Sequence, residues 1–201
     1  LYDAVVLATG APEDWTLGIP GEDLAGVFGS AEFVAWYNAH PDKNNLDPDL
    51  GKHSAVVIGA GNVALDVARL LAKTEAEVRA TDMAHYAADA ISDAPIKDIY
   101  VFARRGPLQA AFTHKDISEF GELENAVTLV DGNLLPDENE QLIDKGRGSQ
   151  EKNIKFLRDY SKNKGDEKSV RIHMQFYARP VEVSGHGSVE SIRMERTELK
   201  D

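Results

Sequence analysis

Gly59, Gly61 and Ala64 stand at G-x-G-x-x-A spacing within the run Gly59-Ala60-Gly61-Asn62-Val63-Ala64. The chemistry open to such a run is the holding of a pyrophosphate. The first glycine permits a tight turn, the second lets a phosphate approach bare backbone, and the small third residue lets helix and strand pack closely. The start of the helix then offers free N–H groups and the positive end of its dipole. The same pattern also serves an ordinary strand-to-helix turn, so its flanks matter. Here Ala55-Val56-Val57-Ile58 precedes it as a short β-branched apolar run, and Ala64, Val67, Ala68 and Leu71 follow at i, i+3, i+4 and i+7, one face of an amphipathic helix. Strand, Gly turn and helix come in the order that dinucleotide binding requires.

The second chemical feature is Arg104-Arg105, directly after the apolar run Ile99-Tyr100-Val101-Phe102. In dinucleotide folds the end of this next strand reads the ribose. An acid there accepts hydrogen bonds from a free 2′-hydroxyl, whereas guanidinium forks meet a 2′-phosphate through charge-assisted, often bidentate bonds. Two arginines in that place favour NADP over NAD, against the alternative of two solvated surface cations. The strand follows the Gly turn at longer range than in a compact βαβ unit, because a further helix intervenes. Thr113, with Asp116 three residues on, is a capping-box pattern that opens another helix.

The elements that must position these residues are legible in outline. Leu1 to Gly10 reads as a buried strand running into a Gly turn, and without an initiator Met the chain looks excised from something longer. Residues 11–51, punctuated by Pro12, Pro20-Gly21, Pro41 and Pro48, read as a linker with one helix near Ala31 to Asn38. Beyond the helix of the Gly turn, Asp82 is an expected N-cap for a helix over Met83 to Ile91, stopped at Pro95. Ala126 to Val130 is a third short strand, and Asn153 to Lys162 a helix with Ile154, Leu157 and Tyr160/Ser161 inward. Val170 to Tyr177, Val181 to Ser184 and Val189 to Arg196 read as short strands of a small antiparallel sheet, the last two joined at Gly185-His186-Gly187. The expected fold class is therefore α/β: a Rossmann-like parallel sheet with flanking helices, and a small antiparallel sheet in the C-terminal third. The expected division is residues 1–10 as the end of a preceding domain and its junction, 11–51 as linker and 52–201 as the nucleotide-binding domain.

Composition removes several classes of function. The 201 residues carry 22 Lys+Arg against 34 Asp+Glu, a net charge of −12 that repels a phosphate backbone, so nucleic acid is not an expected partner. Residues 1–51 hold nine of the acids and one base, Lys43, so a basic site further on is compatible with the total. With no cysteine, the chain has no disulfide, thiol chemistry or cysteine-bound iron–sulfur cluster, and redox work would need an organic cofactor. No apolar run approaches the roughly 18 to 20 residues of a spanning helix, and mean hydropathy is −0.36. The six histidines, His40, His53, His85, His114, His173 and His186, show no i, i+4 pairing of the kind a helical metal site uses. There is no G-x-S-x-G elbow and no P-loop, which sets aside hydrolase and kinase chemistry.

The run from Gly59 to Arg69, together with Arg104-Arg105-Gly106-Pro107-Leu108-Gln109-Ala110-Ala111-Phe112-Thr113, resembles the NADP-binding domain of adrenodoxin-reductase-type ferredoxin-NADP reductases. Tyr2 to Gly10, Ile19-Pro20-Gly21-Glu22 and Phe33 to Asn38 extend the resemblance over most of the chain, and Asp131 to Lys168 is its weakest stretch. It implies a flavoprotein in which NADPH passes hydride to FAD and the flavin passes single electrons to a ferredoxin. Carried onto matching positions, it makes Asn62 and Val63 pyrophosphate contacts and Arg104 and Arg105 the 2′-phosphate contacts. Asp116 stands where the family has a Glu near the nucleotide, a departure compatible with its capping role. No second G-x-G-x-x-G occurs, so FAD is expected in the rest of the parent protein and no complete reaction from this chain alone. The expected partners are that FAD domain and a ferredoxin-type iron–sulfur protein. Lys155, Arg158 and Lys162, at i, i+3 and i+7, form either a basic stripe facing an acidic ferredoxin or the solvated face of a helix. The expected compartment is the cytoplasm, or the mitochondrial matrix in a eukaryote. Competing readings are the pyridine-nucleotide domain of a glutamate-synthase-like flavin reductase, a non-catalytic NADP-binding module, and an NAD-linked dehydrogenase. The last lacks a convincing His, Tyr-Lys or Cys acid/base group.

Overall fold

A computed structural model describes residues 3–5, 14–137 and 147–199. In chain order the elements are helix α1 (Ser30–Tyr37), strand β1 (Ser54–Ile58), helices α2 (Asn62–Ala72), α3 (Glu75–Arg79) and α4 (His85–Ser92), and strand β2 (Asp98–Phe102). Helix α5 (His114–Glu119), strand β3 (Ala126–Val130), helix α6 (Arg147–Tyr160) and strands β4 (Val170–Gln175), β5 (Ala178–Ser184) and β6 (Ser191–Arg196) follow. Strands β1 to β4 form one sheet in the order β1-β2-β4-β3 with every pair parallel. Strands β5 and β6 form an antiparallel hairpin. The expected α/β class with its two kinds of sheet is what the chain adopts.

One strand changes sheets relative to expectation. Val170–Gln175 is not part of the antiparallel sheet but lies between β2 and β3 in the parallel one. The reason is side-chain complementarity across the strands. Ile172 and Met174 face the core, while Arg171 and His173 on the other face both bond Asp98 of β2, Arg171 Nε donating to Oδ1 at 2.7 Å and His173 Nε2 lying 2.8 Å from the same atom. The Arg171 guanidinium, first, and then His173 hold the Asp98 carboxyl down at about 2. His173 also stacks on Tyr100, with ring centroids 4.5 Å apart.

The other face of the sheet packs on α2, α5 and α6, burying Leu65, Ile99, Ile117, Phe120, Leu157 and Ile172. A second apolar cluster joins α1, α2, α3 and α4 through Phe33, Trp36, Leu70, Val78, Ala87 and Ile91. Helix α2 is thus held from both sides, which fixes the Gly turn at its start. Helix α1, expected within residues 11–51, is part of that second cluster, and its N-terminus is held by the Asp14 carboxylate, which accepts from the Ala31 N–H at 2.7 Å. The segment from Pro20 to Ala25 rests on the hairpin, Val183 donating to Pro20 O and Val189 to Ala25 O, each at 2.8 Å.

Smaller differences concern helix ends. Asp82 does not cap α4, which begins at His85 behind Ala84 with no side-chain cap, because the Ala84 N–H donates to Tyr37 O of α1. Thr74 and Glu77 form a capping box that opens the unforeseen α3. Helix α6 starts at Arg147 rather than Asn153, yet its inward residues Ile154, Leu157 and Tyr160 are those expected. Of the expected strand at residues 1–10, the described residues Asp3–Val5 are exposed and form no strand, and the remainder lies outside the described residues.

Candidate nucleotide site

Parallel register places the two sequence features at one edge of the sheet. Ile58 of β1 lies beside Phe102 of β2, so the Gly turn and the Arg104-Arg105 loop both leave from the carboxyl ends of adjacent strands. The Gly59 N–H donates to Phe102 O at 2.9 Å, a last rung that joins them. Ligands in open α/β sheets bind in the crevice outside those ends.

Within the turn the two glycines differ in what they do. Gly59 has φ +144°, which side-chain-bearing residues rarely adopt, and an added Cβ would lie 3.4 Å from Ala64 Cβ. Gly61 is the N-cap of α2 at φ −108°, unremarkable backbone, and a Cβ there would meet nothing within 4 Å. That space opens onto the N-terminus of α2. Among the described residues no side chain caps the helix, and its first turn carries no acid. By helix geometry the N–H groups of Asn62, Val63 and Ala64 have no intrahelical acceptor, since the first such bond is Leu65 N–H to Gly61 O at 3.2 Å. Donors with no acceptor among the described residues, a positive dipole end and a first turn without a carboxylate suit an anion.

Around the turn, Ala60 O accepts from the N–H groups of Ala111 (2.8 Å) and Phe112 (3.1 Å), tying it to the loop beyond the arginines. Phe112 O accepts in turn from the buried Asn153 side chain at 2.9 Å. The Asn62 Oδ1 accepts from the Thr113 N–H at 2.9 Å, so this side chain links the starts of α2 and α5. Val63 is half exposed on the first turn of α2. Asp116 completes the capping box with Thr113: its carboxylate accepts from the Thr113 hydroxyl and N–H.

Arg104 and Arg105 are both exposed, and neither guanidinium has an ion-pair partner among the described residues. By contrast Arg69, Arg79, Arg171, Arg179 and Arg193 are each paired with a carboxylate. Two adjacent unpaired guanidiniums, at the sheet edge that carries an uncapped helix N-terminus, are equipped for an anion with two phosphate centres. The basic stripe on α6 is less free. Arg158 donates to Pro136 O at 2.7 Å and Lys162 pairs with Asp159 at 2.9 Å, while Lys155 is exposed.

A family model described as pyridine nucleotide-disulphide oxidoreductase matches residues 1–104, more than half of the chain. The chain belongs to the pyridine nucleotide-disulphide oxidoreductase family. Among its curated relatives, the NADPH-ferredoxin reductase FprA of Mycobacterium tuberculosis is 40% identical over 202 residues, covering 98% of this chain and 43% of the relative. The mitochondrial NADPH:adrenodoxin oxidoreductase of Arabidopsis thaliana is 38% identical over 210 residues, covering 100% of this chain and 44% of the relative. The solved structure of Mycobacterium tuberculosis FprA in complex with NADPH matches at a TM-score of 0.91 with 40% identity, covering 100% of this chain and 44% of that one. The chain thus spans less than half the length of these relatives. No helix among the described residues is long and apolar enough to cross a membrane, and no group of three or more His, Asp or Glu among them could hold a metal ion.

Sequence reasoning named the residues that offer donors here, Ala60 among its candidates, but not the bracing done by the Ala60 carbonyl and by Asn153. A backbone carbonyl leaves no trace in residue identity. Asn153 gave one usable signal, a polar residue on the inward face of a helix otherwise built from Ile154, Leu157 and Tyr160.

Proposed function

We propose that this chain is the NADP(H)-binding part of a flavin-dependent ferredoxin reductase, in which the nucleotide's pyrophosphate rests on the N-terminus of α2 and its 2′-phosphate between Arg104 and Arg105. The observation that carries the reading is the placement of the uncapped α2 N-terminus and the two unpaired arginines at the carboxyl ends of adjacent parallel strands. The family and the printed names of the relatives support it.

Each residue then has a physical task. Gly59 makes the turn, and Gly61 keeps a side chain away from the phosphates. The backbone N–H groups of Asn62 and Val63 donate to them, and the Asn62 side chain holds the start of α5. Asp116 acts through Thr113, capping α5 so that this junction stays in place. Arg104 and Arg105 discriminate NADP from NAD by charge-assisted bonds to the additional phosphate. When bound, the nicotinamide supplies a hydride to an FAD carried by the rest of the parent protein; this chain orients and retains the nucleotide. The electron acceptor is a ferredoxin-type iron–sulfur protein. Lys155 is exposed and has no ion pair among the described residues, and Arg158 and Lys162 join it only by exchanging partners, which costs little at a surface. The compartment in this reading is the cytoplasm, or the mitochondrial matrix in a eukaryote.

The test is spectroscopic. In the full-length protein, NADPH bleaches the flavin absorbance and an added ferredoxin is then reduced. Bleaching by NADH in preference to NADPH, or no transfer to any ferredoxin, overturns the proposal.

A further inference from the structure

The Arg104-Arg105 loop has neither helix nor strand of its own, and no partner among the described residues fixes its guanidiniums. Its direction is therefore set through its backbone. Three successive carbonyls of the loop are each engaged by the hairpin region: Ala103 O accepts from the Ala178 N–H at 3.1 Å, Arg104 O from the Thr197 hydroxyl, and Arg105 O from the Tyr177 N–H at 3.2 Å. Two of the three donors, Thr197 and Tyr177, are themselves joined, because the Thr197 N–H donates to Tyr177 O at 2.8 Å. Tyr177 sits at φ +57°, a conformation that a bulky residue keeps only when its surroundings impose it. Its ring lies over Gly106, where a Cβ would come within 2.2 Å of the phenol oxygen. The clamp thus closes on both sides of the arginine pair.

Of the three bonds, two use backbone N–H groups that almost any residue supplies. Only the middle one depends on a particular side chain. Without the Thr197 hydroxyl the Arg104 carbonyl loses its donor among the described residues, and the peptide between Arg104 and Arg105 is held only through the bonds on either side of it.

We propose that Thr197 is a positioning residue for 2′-phosphate recognition: by holding the carbonyl of Arg104 it keeps both guanidiniums aimed at one anion and so sets the preference for a 2′-phosphorylated nucleotide. The inference rests on the NADP reading above and deepens it. Thr197 itself touches no nucleotide in this account.

The experiment titrates the full-length protein with NADP+ and NAD+, and with the fragments 2′,5′-ADP and 5′-AMP, which differ in the 2′-phosphate. Thr197→Val removes the hydroxyl at nearly constant shape and weakens NADP+ and 2′,5′-ADP about three- to tenfold, the worth of one neutral hydrogen bond. NAD+ and 5′-AMP stay within about twofold, and Thr197→Ser restores the preference. An equal loss for all four ligands marks a general loosening and overturns the proposal, as does no change or a failure of serine to restore. Should Thr197→Val not fold, Thr197→Ala and Thr197→Ser make the same comparison. Arg104→Ala/Arg105→Ala separates the two claims. If that pair leaves the NADP+ preference intact, the nucleotide reading falls; if it abolishes the preference while Thr197→Val does not, only the positioning role falls.

Discussion

Gly61→Ala separates nucleotide binding from folding. At φ −108° the backbone of Gly61 accepts an L-residue, and a methyl group there meets no atom within 4 Å. Losing a glycine N-cap costs a fraction of a kcal/mol, while the stiffer unfolded chain returns about 0.4–1 kcal/mol. The net change is within about 1 kcal/mol, or roughly 2–4 °C in Tm for a chain of this size. The same methyl stands in front of the first-turn N–H groups of α2, which a phosphate must approach to about 3 Å. NADP+ affinity therefore falls at least tenfold, a loss of about 1.4 kcal/mol or more. Gly59→Ala is the contrasting variant. Its φ of +144° imposes about 1–3 kcal/mol of strain, lowering Tm by roughly 2–12 °C. Thermal unfolding by circular dichroism and calorimetric titration with NADP+, run on the same preparations, read both effects. The reasoning is refuted if Gly61→Ala binds NADP+ as well as the parent, or loses binding only in proportion to lost fold.

Two further outcomes follow from the packing. Because Arg171 first, and then His173, hold the Asp98 carboxyl at about 2, below its ordinary 3.8, this cluster stabilises the fold fully above 3.8 and stops doing so as pH falls through about 2. Arg171→Leu raises the folded-state value and flattens the fall in stability between those limits, seen by urea unfolding across acid pH; an unchanged acid limb contradicts the assignment. Thr74→Ala removes the α3 capping box at a cost of about 1 kcal/mol, roughly 2–4 °C in Tm, with NADP+ affinity unaltered because α3 is remote from the Gly turn.

The parts of the fold that were legible in sequence are those set by local chemistry. Glycines at 59 and 61 bind strand to helix within a few residues, and Thr113 with Asp116 caps its own helix. The arginine pair is recognisable because it directly follows an apolar strand. What escaped is set by distant partners. Val170–Gln175 alternates polar with apolar residues, the habit of a strand with one wet face, and nothing local announces that its Arg171 and His173 meet Asp98, 73 and 75 positions earlier. Asp82 is a sound cap by type, but the bond from Ala84 to Tyr37 sets where α4 begins. The start of α6 likewise rests on tertiary bonds, from Gln150 to Leu108 O and from Asn153 to Phe112 O. At the site, the donors were readable and the clamp behind them was not, since Thr197 lies 93 residues from the carbonyl it holds.

The central claim is that Arg104 and Arg105 recognise a 2′-phosphate. Calorimetric titration with NADP+ and NAD+, on the parent protein and on Arg104→Ala/Arg105→Ala, tests it most directly. Hydrogen bonds to charged groups are worth about 1.5–3 kcal/mol each, so the double variant binds NADP+ at least tenfold more weakly while NAD+ affinity is unchanged. Retention of the NADP+ preference by the double variant, or tighter binding of NAD+ by the parent, contradicts the claim.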